Sequence, residues 1–157
     1  MFSKLSNGHK IASPAAIVAI ICFFLPWVFV SCNAQPVADL SGWELAAGTT
    51  VGQGYAAQQT TGEPIFFLVL FAAFGVLGLS YLAWKREYIT KVLDGFTLLG
   101  IGALPLLILL FKFSGMKNEA IQQGLNVEFK FGLWGVVLAY LAVITGGVFN
   151  LKDESAK

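Results

Sequence analysis

The sequence predicts an all-α membrane protein, a four-transmembrane-helix bundle whose two outer loops form a small cap of short helices and a short β pairing. Three observations carry this reading. Of 157 residues, 57% are hydrophobic and only 12% are charged, against about a quarter charged in a soluble domain. Four apolar segments stand out, at about 11–30, 64–84, 95–112 and 131–151, and only Lys112, at the end of the third, is charged. At about 1.5 Å per residue, about 20 helical residues cross a hydrocarbon core of about 30 Å. Finally, lysine and arginine are placed unevenly between alternate loops. Nothing of domain size remains outside the spans, so residues 1–157 read as a single membrane domain. Its outer loops are 31–63 and 113–130, and its cytoplasmic loop is 85–94. Helices are expected because a spanning segment in lipid must satisfy its own backbone.

The first helix is expected from about Ile11, after a short polar lead. Pro14 fits its first turn, where a missing N–H costs little. Pro26 kinks or unwinds its outer end, and Trp27 beside it fits an outer aromatic belt. In the first outer loop, Ser41 and Glu44 have the spacing of a capping box, and Gly48 can end a helix in a left-handed conformation. A short helix is therefore expected over Gly42–Ala47, with Trp43 resting on the bundle or the membrane interface. Pro64 opens the second span, and Tyr81, Trp84 and Tyr88 mark its inner end. The short loop that follows predicts that spans two and three are antiparallel neighbours. Pro105 should kink the third span, with Gly100 and Gly102 beside it easing the bend.

The second outer loop offers a serine, a short amphipathic stretch and Gly124, which predicts a second short helix. Val127, Phe129 and Phe131 then alternate with Glu128 and Lys130, a strand pattern. A lone exposed strand is marginal, so it is expected to pair with the first outer loop near Pro36–Leu40. Trp134 belongs to the outer interface belt with Trp27, as Trp84 does to the inner one.

Lys4, Lys10, Lys85, Arg86, Lys91, Lys152 and Lys157 fall on one side, against Lys112, Lys117 and Lys130 on the other. The positive-inside rule then puts both termini in the cytoplasm. A net charge of +1 gives no electrostatic case for nucleic acid. Membrane lipids are the expected surroundings. The span interiors hold no Asp, Glu, Lys, Arg or His, so an ion pump or proton-coupled transporter is not expected. His9, the sole histidine, lies in the N-terminal lead, so neither an intramembrane haem nor a metal site is expected. No cofactor is indicated.

Small residues recur at helix-packing spacing: Gly75 with Gly78, Gly135 with Ala139, and Ala142 with Gly146. They read as close helix contacts within the bundle, or against a partner subunit. Tyr140 should satisfy its hydroxyl on a backbone carbonyl or on Thr97, Ser80 or Thr145, on a neighbouring turn or helix, with an interhelical hydrogen bond favoured.

Cys32 ends the run "FFLPWVFVSCN". "VFVSC" resembles a lipoprotein signal loosely, but Phe29 stands where a small aliphatic residue is usual, and the run is longer than a signal's about 7–15 residues. A redox pair would need Cys22, about 15 Å away along one helix, beyond disulfide reach. Cys32 therefore reads as a small residue at a helix exit, with lipidation or an intermolecular cross-link as the modifications it could carry.

The segments "FFLPWVFVSCN", "LSGWELAAG" and "FGLWGVVLAYLAVITGG" together resemble small uncharacterised bacterial four-span membrane proteins. The resemblance covers most of the chain and implies a bacterial inner membrane, but no reaction. The layout is also similar to claudins in topology alone, because their paired first-loop cysteines are absent. The function expected is non-catalytic, an accessory or scaffold subunit of a larger membrane complex. The alternatives are a self-assembling tetraspan forming a passive pore or envelope patch, and a lipid- or quinone-handling enzyme with Glu44, Asp39 or Glu128 in a polar pocket.

Overall fold

A computed structural model describes residues 6–32, 35–51, 58–85, 91–122 and 126–155. The helices are α1 (Asn7–Phe23), α2 (Gly42–Ala47), α3 (Phe67–Lys85), α4 (Lys91–Gln122) and α5 (Phe131–Ser155). The strands are β1 (Pro26–Cys32), β2 (Gln35–Ser41), β3 (Gly48–Val51), β4 (Gln58–Thr61) and β5 (Asn126–Phe129). Pro64–Phe66 forms a 3-10 turn that leads into α3. Three of the helical segments, Pro64–Lys85, Gly95–Met116 and Phe131–Lys152, are long and apolar enough to cross a membrane. The chain is therefore an integral membrane protein by length and composition of its helices. At 17 residues, α1 is shorter, about 25 Å of helix.

Helix α1 begins before Ile11. Ser6 caps it, with its hydroxyl accepting from the His9 N–H at 3.5 Å. Pro14 consequently lies inside the helix rather than in its first turn. Its outer end also differs from expectation. The helix stops at Phe23, and Pro26–Cys32 is a strand. Pro26 cannot continue the hydrogen-bond ladder of a helix, and "WVFV" that follows is rich in β-branched and aromatic residues. The expected first span of residues 11–30 thus divides into helix and strand.

That strand is the centre of the cap. The sheet order is β2-β1-β5, all antiparallel. The alternating segment Asn126–Phe129 therefore pairs with Val28–Ser31, not with Pro36–Leu40, which lies on the other side of β1. Val28, Leu40 and Phe129 fall in one row across the sheet, as do Val30, Ala38 and Val127, and these rows face the core. The next row, Asp39, Phe29 and Glu128, faces away. The fold is thus mostly helical, with a small three-stranded sheet in the cap where a short β pairing is expected. A second, two-stranded sheet joins β3 to β4.

The short helix α2 forms with the expected bounds. Ser41 and Glu44 close a capping box, and Gly48 follows at φ 83°, where a side chain would be strained. The second short helix does not form separately, because α4 runs unbroken from Lys91 to Gln122. Gly115 lies in open space and no proline follows Pro105, so nothing there forces a stop. At 32 residues, about 48 Å, α4 outreaches a bilayer core and carries its last turns into the cap.

Helix α5 is central. It packs most extensively on α1 and α4, while α3 leans on α1. Helices α3 and α4 are neighbours, as the short loop predicts, but their contact is the smallest among these neighbouring pairs. The small-residue faces explain this, because they lie on α1, α4 and α5 rather than between α3 and α4.

Candidate functional site at the cap and outer helix faces

The cap is joined to the bundle through aromatic rings. Trp27 is fully buried, so it is not part of an exposed belt. Helix α1 has already ended, and β1 carries the ring back over the helix ends. Its indole N–H donates to the Cys22 carbonyl at 2.8 Å, a second donor beside the Leu25 N–H at 3.2 Å, at the helix C-terminus where carbonyls lack intrahelical partners. Phe23 and Phe66 meet it edge-on at 5.5 and 6.2 Å between centroids, and Phe113 lies at 6.3 Å. Phe113 in turn meets Phe129 of β5 at 5.3 Å. One cluster thus ties α1, the 3-10 turn before α3, α4 and the sheet together.

The small residues take different places. A Cβ on Gly135 would stand 2.5 Å from the Cys22 sulfur, and one on Gly146 would stand 2.7 Å from the Gly8 carbonyl oxygen. Ala139 is buried, and Ala142 is half-buried against the core. These positions face neighbours within the bundle. Gly147 faces α4 instead, where its Cβ would meet the Gly95 oxygen at 3.0 Å. Two successive glycines therefore serve two helices, as the 100° step of an α-helix dictates. Gly8, Gly95, Gly102 and Gly147 are close-approach sites that spacing rules within a single segment do not single out. Gly75 is half-buried, with only the Ile101 side chain near it at 3.9 Å, and Gly78 has nothing within 4 Å.

Trp84 and Trp134 are exposed near opposite ends of the bundle. Trp43 is half-exposed on α2, stacked on Phe24 at 5.9 Å and edge-on to Phe67 at 5.4 Å. It seats the cap helix on α1 and α3. The Glu44 carboxylate accepts from the Ser41 backbone N–H and hydroxyl, each at 2.8 Å, so it serves the helix cap. Asp39 and Glu128 flank Phe29 on the exposed face of the sheet, and the Lys130 ammonium stands 4.5 Å from the Phe29 ring centroid. Lys112 pairs with Glu63 at 2.5 Å, and this pair borders a cavity of about 330 Å³. Cys32 is the last residue of β1. It is not at a helix exit, nor in one helix with Cys22. Its side chain lies outside the described residues.

A polar cluster sits at the end of the bundle away from the cap. His9 is buried, and its Nδ1 lies 3.0 Å from the Ser80 hydroxyl of α3. Asn150 of α5 is buried as well, and its Oδ1 accepts from the Gly8 N–H at 3.1 Å. Its Nδ2 has no hydrogen-bond partner among the described residues. The apolar run that begins at Ile11 places His9 in a polar lead, whereas α1 starts at Asn7. The signal available was Ser6 three residues ahead of His9, a capping position.

Tyr140 is buried in mid-bundle and donates its hydroxyl to the Val69 carbonyl of α3. Tyr140→Phe should cost about 1 kcal/mol, read as a small fall in the midpoint of thermal unfolding in detergent. A loss above about 3 kcal/mol would contradict an ordinary interhelical bond.

No family model matches the chain, and no curated protein matches it significantly.

Proposed function

We propose that this protein is a non-catalytic four-span membrane protein, an accessory or scaffold subunit held in a larger membrane complex, with the cap outside and both termini in the cytoplasm. The fourth span is α1. It runs antiparallel along α5, from Gly8 beside Gly146 and Asn150 to Cys22 beside Gly135. That is about 21 Å of helix axis, matched step for step by a helix of spanning length. The lysine and arginine placement supports the orientation. Labelling with a membrane-impermeant maleimide tests it, in a chain with Cys22 and Cys32 replaced by alanine. Asp39→Cys and Glu128→Cys should label in intact cells, and Ser6→Cys and Lys152→Cys should not. Labelling of Ser6→Cys without Lys152→Cys would mean that α1 does not cross.

The observation that carries the subunit reading is the outward face of α3. Phe71, Phe74, Gly75, Gly78 and Leu82 recur at helical spacing on one side. The phenylalanines and Leu82 are exposed, and the glycines leave a shallow notch between them. Elsewhere in the bundle, Gly135 and Gly146 are used for close contact between its own helices. Small residues drive helix association in lipid by letting backbones approach, and the α3 notch is free to receive an apolar helix of another subunit. Gly78→Leu should leave thermal unfolding unchanged, since its Cβ meets open space. The same substitution should strip partner subunits from the chain purified in mild detergent. Retention of those partners would remove α3 as the docking face.

A further inference from the structure

At the cap end, a cavity of about 330 Å³ lies between α4 and the segment that leads into α3. Glu63 lines it on one side, and Phe111, Lys112, Gly115 and Met116 of α4 line it on the other. Its volume is that of a small-ligand site, about 300–1,000 Å³. The helices fix its level in the membrane. Glu63 immediately precedes the segment Pro64–Lys85, and Lys112 lies one turn from the end of Gly95–Met116, both of spanning length. The two residues therefore stand where the hydrocarbon core meets the headgroups. Phe111 at the rim is 79% exposed on a spanning segment, so the cavity opens toward lipid.

The polar side chains of the lining are Lys112 and Glu63, with ammonium and carboxylate 2.5 Å apart. Glu63 is held in place by its backbone, whose N–H donates to the Leu45 carbonyl of α2 at 2.8 Å. It occupies the capping position of the 3-10 turn, yet its side chain makes no capping bond there. The carboxylate is turned across to α4 instead. This pair leaves much of its capacity unused. An ammonium has three donors and a carboxylate two oxygens, and the Lys112 and Glu63 side chains remain 37% and 45% exposed. An ion pair so exposed contributes little by itself, so sharing its groups with a ligand costs little.

The charges of the lining select the ligand. One cation beside one anion sums to zero, so the cavity has no net attraction for an anionic headgroup. It presents a dipole, and a zwitterion laid head-to-tail beside that dipole meets both charges. An ammonium with N–H groups can donate to the carboxylate. A quaternary ammonium is held by a cage of rings, and Phe111 is the one ring among the described lining residues. We propose that this cavity binds the headgroup of a zwitterionic phospholipid with a primary ammonium, from the cap-side leaflet. Lys112 takes the phosphate, Glu63 takes the ammonium, and the acyl chains leave past Phe111 into the bilayer. The site lies apart from the α3 residues proposed to meet partner subunits, and each can fail without the other.

The test uses the full chain in mild detergent, mixed with micelles that hold phosphatidylethanolamine and phosphatidylglycerol in equal amounts. Lipid kept after washing is measured by mass spectrometry. The wild-type chain should keep phosphatidylethanolamine at least several-fold over phosphatidylglycerol. Glu63→Gln leaves a net positive cavity and should reverse that preference. Gly115→Leu fills the cavity from a position whose Cβ meets open space. It should lose the retained lipid without a fall in thermal stability, since leucine suits a helix better than glycine. Gly100→Leu, the same exchange in open space farther along α4, should keep wild-type retention. Equal retention of the two lipids by the wild-type chain, or full retention by Gly115→Leu, would overturn the proposal. So would displacement of the lipid by inorganic phosphate alone, which would assign the site to a free anion.

Discussion

Gly146→Leu should separate α1 from α5 and unfold the bundle at a markedly lower temperature. The Cβ of any larger residue would lie 2.7 Å from the Gly8 carbonyl oxygen and 3.4 Å from the Ala12 Cβ. Neither atom belongs to a flexible side chain, so the clash cannot be relieved by a rotamer change. The helices themselves must move apart, and that loosens the contact along their whole length. Overpacking of this kind costs about 1–3 kcal/mol or more. For a chain of 157 residues, at roughly 2–4 °C per kcal/mol, the upper figure is a fall of about 6–12 °C in Tm. Thermal unfolding in detergent, followed by circular dichroism, reads this directly. Gly78→Leu is the internal comparison, the same exchange in open space, and a similar fall there would undo the distinction between inward and outward glycines.

Trp27→Ala should have a comparable cost through a different route. The ring is fully buried and touches Phe23, Phe66 and Phe113, and its N–H holds the Cys22 carbonyl. Removing a buried tryptophan costs about 3–5 kcal/mol, from lost contacts and from the cavity left behind. It also removes one of the two donors to the Cys22 carbonyl, leaving the Leu25 N–H. Because Trp27 is where β1 meets the helices, the effect should concentrate at the cap. Protease cleavage in the outer segments should rise before the bundle melts, and Trp27→Phe should fall between wild type and Trp27→Ala. Unchanged protease resistance in Trp27→Ala would mean that the cap is held by something else, such as Trp43 on Phe24 and Phe67.

The two substitutions mark the boundary of what the sequence makes legible. The three long apolar helices follow from uninterrupted hydrophobic length, a signal that needs no partner to be read. The capping box at Ser41–Glu44 is equally local, because both partners lie within one turn. The strand at Pro26–Cys32 is not local. "WVFV" continues an apolar run with nothing to separate helix from strand except Pro26, and its strand state is fixed by neighbours at positions 35–41 and 126–129. For the same reason the alternating segment near Glu128 is recognisable as a strand, while its partner is not. Trp27 then misleads, because an indole at the end of an apolar run suits a headgroup and a core equally well.

The candidate sites divide in the same way. Small-residue spacing points to α5 as a packing helix, but spacing within one helix cannot say which neighbour a glycine meets. Gly78 and Gly135 look alike in sequence, yet one faces open space and the other the Cys22 sulfur. His9, Ser80 and Asn150 come from three distant segments, and only the packing of α1 against α3 and α5 brings them to one end of the bundle. The apolar groove between α4 and α5, lined by Leu109, Phe113, Leu133, Val137 and Phe129 of β5, is likewise a property of two helices and a strand together.

The central claim is that this chain works as a subunit of something larger. Native membranes solubilised gently, resolved on native gels and analysed by mass spectrometry test it most directly. Co-migration of the chain with a reproducible set of other membrane subunits is the predicted result, and those subunits would place it in a process. Migration by itself, as a monomer or as a small oligomer of identical chains, would contradict it.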